Sequence, residues 1–174
     1  NVLKITQTGA VSTLARLGGA AIAVAVGYDD QVYALDWPNR LSKINVDGSV
    51  VALTSLGINS PYGLTIDAFG NFYVLDSVNR ITRITPDLKA SLYFDKAQFE
   101  YEGVNVTADC SNNLLFAPTW LPPIKLGGEE DRLVQLVGDT GEYRQVLYGP
   151  SIDPAMSDMD VLFYDRLGKR LLIW

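Results

Sequence analysis

The sequence predicts an all-β chain, a β-propeller built of four-stranded antiparallel blades, and three observations predict it. Hydrophobic strand patterns recur about every forty residues. Turn formers fall at matching places in each recurrence. Apolar and polar residues alternate with the period of a strand and not of a helix. A β-sandwich has no reason to repeat its sequence at a fixed period, and helical repeats do not carry turn signals this dense.

The repeat is clearest in two units. Val32-Tyr33-Ala34-Leu35-Asp36, Asn39-Arg40-Leu41 and Lys43-Ile44 are followed forty residues on by Phe72-Tyr73-Val74-Leu75-Asp76, Asn79-Arg80-Ile81 and Arg83-Ile84. Upstream, Val2, Lys4, Ile5, Gly9 and Val11 match Leu41, Lys43, Ile44, Gly48 and Val50 at a spacing of 39. Downstream, Gly103-Val104, Val106 and Ala108 match Gly63-Leu64, Ile66 and Ala68, and Asn113 introduces Leu114-Leu115-Phe116 as Asn71 introduces Phe72-Tyr73-Val74. Asp131-Arg132-Leu133 resumes the pattern after an insertion over 118–130, and Asp165, Gly168 and Leu171-Leu172-Ile173 start one more unit.

Within the best-formed unit, four strands are expected at Tyr62 to Asp67, Phe72 to Asp76, Arg80 to Thr85 and Ala90 to Phe94. Phe69-Gly70-Asn71, Asp47-Gly48 and Pro86-Asp87 separate strands, because glycine and asparagine supply the positive φ of tight hairpins. The first two strands are apolar on both faces, as expected of strands near a central axis covered on both sides. Residues 1–18 therefore read as the outer strands of one blade. Residues 19–57, 58–98 and 99–150 read as three blades, and 151–174 as the inner strands of a further one. About four blades are present. The two terminal halves could close a four-bladed ring together, but part of a larger propeller is the favoured expectation. A ring cut open exposes strand edges that seek partners, so assembly through blade edges is also expected.

Composition narrows the chemistry. Apolar residues at 48% and charged residues at 20% suit a folded domain, and no apolar run approaches the roughly 20 residues that a membrane-crossing helix needs. A net charge of −6 opposes a phosphate backbone, so nucleic acid is not an expected partner, although Arg80 and Arg83 are local basic spots. The chain has no histidine, which removes the commonest general base and transition-metal ligand. Its one cysteine, Cys110, can form neither an intrachain disulfide nor a cysteine zinc cluster, and reads as an inert thiol.

At Pro61-Tyr62-Gly63-Leu64-Thr65-Ile66-Asp67, Gly70-Asn71-Phe72-Tyr73-Val74-Leu75-Asp76 and Asn79-Arg80-Ile81 the chain resembles the NHL repeat. The match is close for this unit, good for the preceding one and loose elsewhere. The resemblance implies a propeller, typically of six blades, shared with the gluconolactonase-like family. Acidic, tyrosine-rich propellers of this kind are frequently exported, so an extracellular or periplasmic location is what the resemblance implies.

Asp36 and Asp76 end the second strand of their units, with Asn39 and Asn79 three residues later. Such a ring of acceptors could hold a divalent cation such as calcium. The repeated placement favours instead a carboxylate that caps the next turn through backbone N–H groups, since a catalytic group has no need to recur once per blade. Asp67 and Asp165, before turn glycines Gly70 and Gly168, read the same way. The insertion carries Trp120 between prolines and the acidic run Glu129-Glu130-Asp131. It reads equally as a binding loop and as a solvated excursion. Trp37, in the loop after a second strand, is expected on the same face as Trp120, and Trp174 between blades. Asn105-Val106-Thr107 matches a glycosylation acceptor, but its strand placement argues against use.

The function expected from these features is a noncatalytic surface for protein or glycan without a cofactor, with Trp37, Asn39, Asn79, Trp120, Glu129, Glu130 and Asp131 as binding candidates. The alternative is a metal-dependent gluconolactonase-like hydrolase in which a divalent cation polarises a lactone carbonyl. Where that family places an asparagine before the glycine opening a blade, this chain has Tyr62-Gly63 and Glu102-Gly103, which leaves Glu102 as a weak ligand candidate beside Asp36 and Asp76.

Overall fold

The computed structural model describes residues 1–58, 60–78, 80–95, 103–108, 114–118, 132–137, 142–148, 162–165 and 170–173. All of its regular elements are strands. Strands β1 (Val2–Ile5) and β2 (Val11–Ala15) form a two-stranded hairpin. The first four-stranded sheet runs in chain order through β3 (Ala21–Val26), β4 (Val32–Asp36), β5 (Arg40–Ile44) and β6 (Val50–Ser55). The second comprises β7 (Pro61–Ile66), β8 (Phe72–Asp76), β9 (Ile81–Ile84) and β10 (Ala90–Phe94). The third comprises β11 (Gly103–Ala108), β12 (Leu114–Pro118), β13 (Arg132–Val137) and β14 (Glu142–Tyr148). A last hairpin pairs β15 (Leu162–Asp165) with β16 (Arg170–Ile173). Every pairing is antiparallel between chain neighbours.

The sheets stack face to face, and the first strand of each leads the contact: β7 lies against β3 and β11, and β11 against β15. Alternation along the second strands explains why stacking is required. In β8, Phe72 and Val74 enter the core shared with the first sheet, whereas Tyr73 and Leu75 enter the core shared with the third. In β4, Tyr33 and Leu35 face the second sheet, and Val32 and Ala34 face the β1–β2 hairpin. A strand whose two faces are both apolar cannot leave either in water. Burial of each large aliphatic side chain contributes about 1.5–3 kcal/mol, and only a neighbour on each side provides it. This is a propeller arrangement.

Turn chemistry recurs with the strands. In the loops joining third to fourth strands, Gly9, Gly48 and Leu88 take φ of +82°, +83° and +64°. Each donates its N–H back to residue Thr6, Asn45 or Thr85. In the loops joining first to second strands, Gly27 N–H donates to the Gln31 carbonyl and Asp67 N–H to that of Asn71. Chain entry to each sheet is stitched the same way: Trp37 N–H donates to Ala20 O at 2.9 Å and Ser77 N–H to Ser60 O at 3.0 Å.

Candidate functional site

The strand directions place two sets of loops on opposite ends of the sheets. One end carries the second-to-third-strand turns, with Asp36, Trp37, Asn39 and Asp76. The repeated aspartates there are buried, at 1% exposure each, and both are neutralised. Arg40 reaches Asp36 with Nε at 3.2 Å and a terminal nitrogen at 2.6 Å. Arg80 reaches Asp76 at 3.0 and 2.9 Å. Asp76 also accepts the backbone N–H groups of Val78 and Arg80. That is the turn-capping geometry, reinforced by two guanidinium N–H contacts to each carboxylate. Arg80 is thus committed to Asp76 and is not a free basic spot.

This donor set does not fit a cation. Both carboxylates already have arginine on their oxygens, and among the described residues no three acidic or sulfur-bearing side chains converge. Calcium needs six to eight oxygens, several of them anionic. Glu102 lies outside the described residues, as do Asn79, Trp120, Glu129, Glu130, Asp131, Cys110 and Trp174.

Asn39 takes φ of +65°, a conformation that asparagine tolerates better than most residues. Its side-chain amide donates to the Ile58 carbonyl, and its own carbonyl accepts from Leu56 N–H at 2.8 Å. It straps the turn to the segment leading into β7, which is a structural task. Trp37 has no such engagement of its ring: it stands 57% exposed beside the strap.

The other end holds a feature that the sequence reading did not single out. A cavity of about 250 Å³ opens between the first-to-second-strand turns of neighbouring sheets, lined by Tyr28, Asp29, Tyr33, Phe69 and Phe72 among others. Tyr33 and Phe72 meet edge to face across the sheet interface at 4.9 Å, which fixes the floor. Phe69 is 74% exposed at the rim. Asp29 accepts the Tyr33 hydroxyl and Gln31 N–H, both at 3.2 Å. Burial, and then the neighbouring Asp29 charge, raises the Tyr33 phenol above its ordinary range, so it remains a donor at neutral pH. The carboxylate in the corresponding turn of the next unit, Asp67, stands where this turn has Gly27 and is consumed internally: it accepts from Phe69 N, Asn71 N, the Asn71 amide and the Tyr73 hydroxyl at 2.8–3.0 Å. The signal that could have revealed the cavity is the lack of repetition in a repeated turn. Tyr28 and Asp29 occupy positions where the next unit has Ala68 and Phe69.

No family model and no curated protein matches the chain. Solved structures do. A virginiamycin B lyase from Staphylococcus aureus with quinupristin aligns with a TM-score of 0.57 at 15% identity, over 94% of this chain and 67% of that one. Regucalcin from Agrobacterium tumefaciens, described as a calcium-binding protein, aligns at 0.59 and 16%, over 81% and 50%. Oligogalacturonate lyase from Vibrio parahaemolyticus aligns at 0.58 and 12%, over 95% and 49%. The shared property is the propeller fold. The chain spans about half to two thirds of the length of these structures.

Proposed function

We propose that the chain is a noncatalytic, NHL-like recognition surface whose ligand is a glycan, taken between the turns of adjacent blades. The observation that carries this reading is the cavity with aromatic walls and one ordered carboxylate. Aromatic faces suit the C–H faces of a sugar ring, and the outward-facing capacity of Asp29 suits its hydroxyls. At about 250 Å³ the cavity is smaller than the roughly 300–1,000 Å³ typical of drug-sized ligands, so it has room for one ring of a longer chain. The repeated aspartates, each held by an arginine, supply no general base or metal cage, which supports binding over hydrolysis. Trp37, exposed on the opposite end, is a second contact suited to a protein partner.

A glycan array followed by titration of the best binders tests the reading. Phe69→Ala should weaken binding by about tenfold or more while leaving stability within about 0.5 kcal/mol, as expected for an exposed side chain. Trp37→Ala should leave glycan binding unchanged. The competing reading, a divalent-metal hydrolase, draws support from the gluconolactonase-like resemblance and from the calcium-binding neighbour. Absence of glycan binding together with calcium-dependent lactone hydrolysis would replace the first reading with the second.

A further inference from the structure

The carboxylates of this chain differ in what answers their charge. Asp36 and Asp76 each hold an arginine, and Asp87 holds Lys89 at 2.7 Å. Asp67 is 2% exposed and is surrounded by hydrogen-bond donors of its own turn. Asp29 is unlike all of these. One oxygen accepts Gln31 N–H and the other accepts the Tyr33 hydroxyl, and both donors are neutral. Among the described residues no lysine or arginine pairs with it. A carboxylate has about four acceptor sites, so both oxygens keep capacity for a further donor.

The place of that carboxylate is specific to this turn. In the next unit the turn carboxylate is Asp67, and it bonds the tyrosine of the second strand, Tyr73. Here Asp29 bonds the equivalent Tyr33 from a position two residues later in the turn, and Gly27 stands where the aspartate would be. The move needs that glycine: a Cβ at residue 27 would lie 2.3 Å from Asp29 Oδ1 and 3.2 Å from the Tyr33 ring. The move also brings the carboxylate out of the interior to an exposed position. Asp29 thus lines the cavity of about 250 Å³ together with the rings of Tyr28, Tyr33, Phe69 and Phe72. A ligand that fills this space with uncharged groups strips water from a charge and leaves it unpaired, which weakens binding. A ligand with an ammonium group pairs the charge, and aromatic walls attract the same cation through their ring quadrupoles.

We infer that the sugar ring taken in this cavity carries a free ammonium group, so that the ligand is a chain of hexosamine units without N-acetyl groups. This ligand class rests on the glycan reading and narrows it to a cationic glycan. The ammonium donates to Asp29, whose oxygens accept it beside the bonds from Gln31 and Tyr33. A fully methylated ammonium, as on a modified lysine side chain, has no N–H to donate there, which favours the amino sugar. The net charge of −6 adds a general attraction for a polycationic chain.

Calorimetric titration at about pH 5.5, where amines are protonated, compares β-linked tetramers of glucosamine, N-acetylglucosamine and glucose. The glucosamine tetramer should bind about tenfold or more tighter than either neutral one. Asp29→Asn should remove that preference and leave the affinity for the glucose tetramer within about twofold. Asp30→Asn removes an exposed carboxylate next in the chain that does not line the cavity, and it should keep the preference. The pair separates contact at the site from general attraction of a polycation. Thermal midpoints check that both variants fold, and the comparison of tetramers on the unaltered chain stands without them. Equal affinity for the tetramers overturns the inference, as does a preference that Asp29→Asn leaves in place or that Asp30→Asn reduces as much. Binding of a trimethyllysine peptide with none of the glucosamine tetramer overturns it too. In any of these cases, neutral glycans captured on the array leave the glycan reading standing, whereas an array without a binder removes both.

Discussion

At the scale of single residues, polar groups in this protein are placed by what they neutralise. Tyr73 is buried in the core between the second and third sheets, and its hydroxyl donates to Asp67 at 3.0 Å. Desolvation is the largest cause of its raised pKa, followed by the charge of Asp67. The folded state thus holds the phenolic proton more tightly than the unfolded chain does. The resulting stability is fully present below the unfolded value of about 10, and declines as pH rises from there towards the higher folded value. Thermal midpoints measured from pH 8 to pH 11 should fall steeply in the upper part of that range. Tyr73→Phe should be less stable at pH 8 by about 1.5–3 kcal/mol, the worth of a hydrogen bond to a charged group, and should show a shallower alkaline decline. Equal slopes for the two chains would show that the Tyr73 proton is not coupled to folding.

At the scale of elements, the hairpin loops are the same structure built with different residues. Gly48 has φ of +83°, and a Cβ there would meet the Leu14 carbonyl oxygen at 2.5 Å. Gly48→Ala should therefore cost more than the conformation alone, about 1–2 kcal/mol in total with the hairpin contact disturbed. Leu88 holds the equivalent loop position at φ of +64° in the second sheet, where glycine would be unstrained, and its side chain is 37% exposed. Leu88→Gly should stabilise the chain by up to about 1 kcal/mol. Chemical denaturation of the two variants should move midpoints in opposite directions. A destabilised Leu88→Gly would mean that the leucine side chain packs more usefully than its exposure indicates.

At the scale of the whole molecule, each sheet depends on its neighbours. Leu64→Ala removes side-chain volume from a core closed on both sides and should cost about 2–4 kcal/mol. Val24→Ala, at the matched position of the first sheet, where the side chain is 47% exposed, should cost less than about 1 kcal/mol. Chemical denaturation of both variants measures the difference.

Strand positions, turn positions and the four-strand unit were legible in the chain itself, because alternation and turn residues are local and the repeat shows each of them several times. Asp76 was readable as a turn cap for the same reason. Its arginine was not. Asp76 and Arg80, four positions apart, come into contact only once the turn brings the ends of two strands side by side. Asn39 looked like a ligand-facing amide until the next sheet's entry segment supplied the carbonyl that it straps. The aromatic cavity was invisible for a deeper reason. It is assembled from unlike residues at matching positions of two turns about forty residues apart, and only stacking places Phe69 and Asp29 around one cavity. Local hydrogen bonding and side-chain period thus determine what each segment is. Which faces become buried and which carboxylate remains available depend on what lies on the other side of a sheet, and that is decided only when the sheets are packed.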